Sequence, residues 1–233
     1  IHGDEGEVGM LALRVLEGKE ALPIFASTIF GQNPAGFPYL MAPLLGLFGR
    51  NEVGLRLLPA LFGAATIPFL YLIGRNGWGI IAGGAAAWLL TVSHFHIHYS
   101  RIAVPNIANA TVVVLLIWVL FRAWHGNVRF FAQPPTVTEA GAIRTRLGAL
   151  RLITPLVNFV GIGLVVGFGQ YLYHGARLLP IIAAFAFLFM LLKRKIAWVQ
   201  IGVAALAALI VIAPLGAYYL THWVEFIGRF DTV

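Results

Sequence analysis

The sequence contains no cysteine and very little charge. Without cysteine, neither disulfide bonds nor thiolate chemistry can contribute to the fold or to function. Charged residues make up 11% of the 233 residues, less than half of the share of about a quarter that is usual in soluble proteins, whereas 60% are hydrophobic. The mean hydropathy is +0.86. These values exclude an ordinary soluble domain and predict a membrane protein.

Long apolar stretches indicate several transmembrane helices. A spanning helix needs about 20 mostly apolar residues, and six stretches meet or approach that length. They lie near residues 53–74, 79–99, 106–124, 153–173, 177–192 and 196–220. The predicted fold class is therefore all-α, a polytopic transmembrane helical bundle over residues 53–220.

The ends of the chain suggest that it is a piece of a longer protein. It begins with Ile1, and its charged opening segment cannot itself span a membrane. We therefore expect at least one helix upstream and more sequence downstream. Residues 221–233 would then begin another outer loop.

Lysine and arginine are distributed unevenly between the two sides of the predicted bundle. Cytoplasmic loops carry an excess of these residues. In the membrane topology that satisfies this rule, the inner loops hold nine cations and one acidic residue, Glu139. The outer side holds seven cations, eight acidic residues and six of the seven histidines. Residues 125–152, which contain Pro134 and Pro135, become a basic cytoplasmic loop that faces solvent or lipid headgroups. The rule predicts an integral cell-membrane protein whose active face is extracytoplasmic. The placement of its net charge of +7 gives no reason to expect nucleic acid as a partner.

The outer segment, residues 1–52, is predicted to contain two interfacial helices. Apolar residues recur with helical spacing over residues 5–17, where Asp4 is placed to cap the helix and Gly18 to close it. The stretch YLMAPLLGLFG at 39–49 is too short to span a bilayer and suits an interfacial or re-entrant helix.

Asp4 and Glu5 stand out because acidic residues are scarce. One interpretation is only structural, because carboxylates at a helix start are stabilised by unpaired backbone amides. In the functional interpretation, a partly desolvated carboxylate acts as a general base toward a hydroxyl or amine, or binds a divalent metal. Both residues are candidate catalytic residues.

The stretch SHFHIHYSR at 93–101 places His94 and His98 four residues apart on one helix face. That spacing suits metal ligation, and a metal, if one is present, would be held by these histidines and Asp4. The alternative is that His and Tyr side chains simply sit at the bilayer interface. No cofactor other than such a divalent metal is expected.

Three arginines lie close to predicted outer membrane boundaries and are candidate ligands of a phosphate, such as that of an anionic lipid headgroup: Arg56, Arg101 and Arg177. Nearby polar residues that could assist them are Asn106, Tyr173 and His174. No P-loop, GxSxG or HExxH motif is present, and Gly161, Gly163 and Gly167 are better explained by close helix packing than by phosphate binding.

Three segments together, HGDEGEVGMLALRVLEG, LFGRNEVGLRLLPAL and HIHYSRIAVPN, resemble integral-membrane glycosyltransferases of the C-type fold. The similar family is that of the protein O-mannosyltransferases and bacterial aminoarabinose transferases. The resemblance implies a polyprenyl-phosphate sugar donor, an inverting single displacement, and a lipid, glycan or protein acceptor at the external face. It also implies that Asp4 is the essential aspartate, a base or metal-associated acid, and that Glu5 is its neighbour.

Two positions depart from the family pattern. Asn106 stands where the family has a second acidic residue, and Asn33 where it often has a lysine. These departures leave Arg101 and Arg177 as the expected phosphate partners. They also keep open a second class of function, a non-catalytic membrane subunit or scaffold with partners in a larger complex. A transporter is a third class, which is disfavoured because the charges lie at the outer boundary rather than near the bilayer midplane.

Overall fold

Four long apolar helices form the membrane-spanning part of the computed structural model, which describes residues 3–19, 25–28, 31–132 and 156–221. They are α3 (Glu52–Trp78), α6 (Asn106–Ala132), a 3₁₀ helix (His174–Leu178) continued by α8 (Leu179–Leu192), and α9 (Trp198–Thr221). The predicted all-α polytopic bundle is confirmed, and the protein is an integral membrane protein. The predictions for His2, His222, residues 133–152 and residues 222–233 lie outside the described residues.

Two of the predicted spans have a different form from a single straight helix. Over 79–99, α4 (Ile80–Val92) and α5 (His94–Arg101) are bent by 58° where the chain is extended at Ser93, so they form one broken span or a re-entrant segment. In the stretch 153–173, the part of helix α7 that lies within the described residues (Leu156–Gly169) is shorter than a spanning helix needs to be.

Two short helices precede the bundle. Helix α1 (Gly3–Leu16) ends in a Schellman motif, in which Gly18 has φ +63° and Lys19 N donates to Arg14 O at 3.2 Å. The sequence placed Asp4 at the cap, but the helix already begins at Gly3, so Asp4 lies in the first turn. Helix α2 (Gly36–Phe48) follows.

A small β-hairpin between these helices was not predicted. Strands β1 (Phe25–Thr28) and β2 (Gly31–Pro34) pair antiparallel. The hairpin lies in the outer segment, so it adds to the segment's structure without changing the helical class of the bundle.

Helices α7 and α9 pack closely because glycines on α7 face α9. A Cβ on Gly163 would lie 2.7 Å from Ala207 Cβ, and one on Gly167 would lie 2.7 Å from Val211 Cβ. This confirms that these glycines serve helix packing. Helices α3 and α4 meet in the same way, since a Cβ on Gly74 would lie 2.7 Å from Gly83 Cα.

Polar contacts identify the two ends of the bundle. At one end, which we call the platform end, α1 and α2 contact the start of α3. At the other, which we call the basic end and which carries Arg75, Arg122 and Lys193, the buried Asn127 exchanges two side-chain hydrogen bonds of 3.1 and 3.2 Å with Gln200. This pair fixes α6 to α9 with its polar atoms satisfied, as the bilayer interior requires.

Candidate functional site

Glu5 is buried at the platform end and joins three parts of the chain. Its side chain is 1% exposed. Arg56 donates to it through both Nε, 3.0 Å from Oε1, and NH2, 3.1 Å from Oε2. The backbone N–H of Ala103 donates to Oε1 at 3.0 Å. The carboxylate therefore fixes α1 to α3 and to the connection between α5 and α6, through charge-assisted bonds of the strong bidentate kind.

The first turn of α3 orients Arg56 toward this carboxylate. Asn51 caps the helix by accepting a hydrogen bond of 3.0 Å from Gly54 N. Arg56 lies in the next turn, and its NH1 is 3.6 Å from the Glu52 carboxylate. Arg56 was predicted to bind a donor phosphate. Here its guanidinium is occupied by two carboxylates, so a phosphate would have to displace at least one of them.

The same contacts join the segments that carry Asp4 and Arg101 at the platform end. Asp4 precedes Glu5 in the first turn of α1 and is half-buried. Arg101 ends α5 two residues before Ala103, and it is exposed. One acidic residue and one arginine of the predicted site therefore lie at the same end of the bundle, on segments that the bonds of Glu5 connect.

Arg177 lies at the platform end on the 3₁₀ helix. Its NH2 donates to Tyr219 Oη at 3.3 Å, and its Cζ is 6.0 Å from the centre of that ring. Tyr173 and His174, at the start of the 3₁₀ helix, are half-buried. The next residue, Gly175, packs against Asn109 in the first turn of α6. Arg177 is therefore near the start of α6, which Asn106 begins with a half-buried side chain.

A turn ahead of the 3₁₀ helix connects this region to α2 and α9. Tyr171 O accepts a hydrogen bond of 2.9 Å from Gly36 N at the start of α2. Its Oη donates to Val211 O at 2.7 Å. Burial raises the pKa of the Tyr171 hydroxyl above its usual value. The turn thus ties the platform to the second half of the bundle.

The two histidines predicted as metal ligands are exposed on α5. His94 and His98 stack with ring centres 6.1 Å apart, whereas His96 faces Gly63 of α3. Among the residues that the structure describes, no three acidic or histidine side chains are grouped so that they could hold a metal ion. The predicted trio of Asp4, His94 and His98 is therefore not assembled as a metal site.

A cavity of about 430 Å³ lies between α1, α2 and the start of α3. Its walls are mostly apolar, with Leu13, Leu45 and Leu55 among them, and Glu5 and Arg50 at its polar edge. Neither Asp4, Arg101 nor Arg177 lines it. Arg50, which lines the cavity, and Lys19 each lie 2.6 Å from the exposed Glu17 carboxylate. Both cations lower the pKa of Glu17, and Lys19 has the larger effect.

Residues 32–132 match the model of the dolichyl-phosphate-mannose-protein mannosyltransferase family. This confirms the resemblance inferred from the sequence over a little under half of the chain, from β2 through α6. The match supports a membrane glycosyltransferase of this type. It contains Arg56, Arg101 and Asn106, and it leaves out Asp4, Glu5 and Arg177. No curated protein and no solved structure matches the chain significantly.

Proposed function

We propose that this protein transfers a sugar from a polyprenyl-phosphate donor to an acceptor at the extracytoplasmic surface of the membrane, by a single inverting displacement. The family match over residues 32–132 supports the reaction class. The main support for the proposed site is the buried Glu5 carboxylate. Its hydrogen bonds to Arg56 and Ala103 connect the segments that carry Asp4 and Arg101 at the same end of the bundle.

In this proposal Asp4 is the general base. The acceptor hydroxyl or amine attacks the anomeric carbon of the sugar as its proton passes to the Asp4 carboxylate. The bond from the anomeric carbon to the phosphate oxygen breaks, and its electron pair leaves with the polyprenyl phosphate. Asp4 lies in the first turn of α1, at the platform end where the acceptor is proposed to bind.

Arg101 and Arg177 stabilise the charge that builds up on the departing phosphate. Arg101 is exposed at the end of α5 and is free to turn toward a headgroup at the membrane surface. Arg177 is already oriented by Tyr219, so less conformational entropy is lost when it binds an anion. Hydrogen-bond donors that are already oriented toward a developing negative charge commonly make the largest single contribution to catalysis.

Glu5 and Arg56 have positioning roles in this scheme. Both oxygens of Glu5 already accept hydrogen bonds from protein groups, so Glu5 is poorly placed to take a proton from an acceptor. We therefore assign the base to Asp4 alone. Glu5 acts through the position of α1, and Arg56 acts through Glu5.

A non-catalytic membrane subunit is the second candidate. The described cavity beside α1 contains Glu5 but does not reach Arg101 or Arg177, and Asn106 replaces an acidic position of the family pattern. The two functions are distinguished by incubating the full-length protein with a radiolabelled polyprenyl-phosphate sugar and a membrane extract as acceptor. A transferase releases free polyprenyl phosphate in proportion to the labelled product. Donor binding without release of the lipid phosphate would instead indicate a non-catalytic subunit.

A further inference from the structure

A second surface, far from Glu5, has the chemistry of a lipid site. At the basic end a groove of about 390 Å³ lies between α6 and α8. Every residue that lines it is hydrophobic: Ile117, Leu120, Phe121, Trp124, Ala186, Phe189 and Met190. Both helices are long and apolar enough to cross a membrane, so a hydrocarbon chain is the expected neighbour of such a groove.

The sequence places one cation at the end of this groove. On α8, Ala186, Phe189, Met190 and Lys193 follow the spacing i, i+3, i+4, i+7, so Lys193 continues the row that lines the groove. Its Nζ is 5.9 Å from the centre of the Phe189 ring, and Phe189 packs against Trp124 at 5.4 Å between ring centres. The ammonium group is thus anchored over an aromatic wall of the groove.

We propose that this groove binds one phospholipid with an anionic headgroup, the acyl chain lying between α6 and α8 and the phosphate on Lys193. The charge of the residues beside the groove indicates which class of lipid it binds. Beyond the end of the groove lie two exposed cations, Lys193 and Arg194, which a headgroup with a net negative charge neutralises, whereas the ammonium group of a zwitterionic headgroup is repelled by them. Cations beside the membrane surface each contribute measurably to anionic lipid binding. The site lies at the opposite end of the bundle from Asp4 and does not depend on the proposed transferase activity.

Native mass spectrometry of the full-length protein in detergent tests this proposal. The protein is titrated with phosphatidylglycerol and, separately, with phosphatidylcholine of the same acyl chains, and the first bound lipid is counted. We expect tighter binding of phosphatidylglycerol. Lys193→Gln should weaken it by about fivefold, the effect of one cation beside an anionic headgroup, and should weaken phosphatidylcholine binding less, because the choline cation offsets the charge of its phosphate. Arg122→Gln is the matched control, because Arg122 lies at the same end but over Trp118, outside the groove.

The groove itself is tested by filling it. Ala186→Phe should weaken binding of both lipids, whereas Ala184→Phe, on the same helix but in a different groove, should not. Brominated acyl chains should quench the emission of Trp124, measured as the difference between the wild type and Trp124→Phe, and should quench it less in Lys193→Gln. Equal affinity for the two lipids, or equal effects of Lys193→Gln and Arg122→Gln, would overturn the proposal. If Ala186→Phe fails to fold, the comparison of Lys193→Gln with Arg122→Gln decides alone.

Discussion

Asp4 and Glu5 are neighbours in the sequence but have different surroundings. Glu5 is buried and accepts three hydrogen bonds of 3.0 to 3.1 Å, whereas Asp4 is half-buried at the start of α1. A carboxylate with this many partners has a structural role, because its removal leaves buried donors without acceptors. The two residues are therefore expected to respond differently to the same kind of substitution.

Glu5→Gln should destabilise the fold. The amide keeps the shape but loses the charge that pairs with Arg56, so we expect the free energy of unfolding to fall by about 2 kcal/mol. Arg56 is 37% exposed and keeps Glu52 as a partner, which limits the loss. Unfolding in mixed micelles of increasing sodium dodecyl sulfate measures the change. Glu52→Gln, which removes the more distant and 68% exposed partner of Arg56, serves as the control and should unfold close to the wild type; equal destabilisation of the two variants would refute the role assigned to Glu5.

Tyr171 should make stability depend on pH at the alkaline end. Burial raises the pKa of its hydroxyl, so the folded protein holds this proton more tightly than the unfolded chain. The contribution is fully present below the pKa of about 10 of the unfolded chain and is lost as pH rises through the higher folded pKa. Thermal unfolding at pH 8 and above pH 10 should show wild type losing more stability than Tyr171→Phe. Parallel losses would show that the hydroxyl is not the titrating group.

At the scale of elements, α7 and α9 can approach each other only because α7 carries glycine where they touch. Gly163→Ala should destabilise the protein by about 1 to 3 kcal/mol, since the added methyl group meets Ala207 and the Ala204 carbonyl oxygen. Gly202→Ala, on α9, is the matched control because nothing lies within 4 Å of the new methyl group. It should be neutral or stabilising. Thermal unfolding of both variants in the same detergent distinguishes packing from helix propensity.

The helical elements could be predicted because hydropathy and spacing act locally. The apolar stretches identified α3, α6, α8 and α9, and the acidic start and Gly18 identified α1. The bend at Ser93 could not be predicted, because the change from an apolar stretch to the polar residues from Ser93 onward does not by itself specify a bend, and α5 packs against α3. The same holds for the hairpin, whose polar strands GQNP and FAST carry no alternation of apolar residues.

The site could be predicted in its residue types but not in its pairings. Scarce charges in an apolar chain indicated Asp4, Glu5 and Arg56, and the rule that buried charges are paired could have joined Glu5 to Arg56. The bond from Ala103 could not be found, because a backbone N–H has no signal in the sequence. The contact of Arg177 with Tyr219 joins residues 42 positions apart and depends on the antiparallel arrangement of α8 and α9.

At the scale of the whole molecule, the distribution of cations predicts which end faces the cytoplasm. Because the chain lacks cysteine, single substitutions can report its orientation. In intact cells, an impermeant maleimide should label Gly3→Cys, at the platform end, and should label Arg194→Cys only after the membrane is opened. Both positions are exposed. The reversed pattern would place the platform in the cytoplasm and would remove the basis for an extracytoplasmic active face.

The central claim is that Asp4, on the helix that the bonds of Glu5 fix at the platform end, is the base of a sugar transfer there. The most direct measurement is the kcat of the full-length protein with a polyprenyl-phosphate sugar, compared between wild type, Asp4→Asn and Glu7→Gln, the last being a second acidic residue of the same helix. The account predicts a loss of about a hundredfold or more for Asp4→Asn, with Glu7→Gln close to wild type and all three proteins folded. A folded Asp4→Asn protein that transfers sugar at the wild-type rate would contradict it.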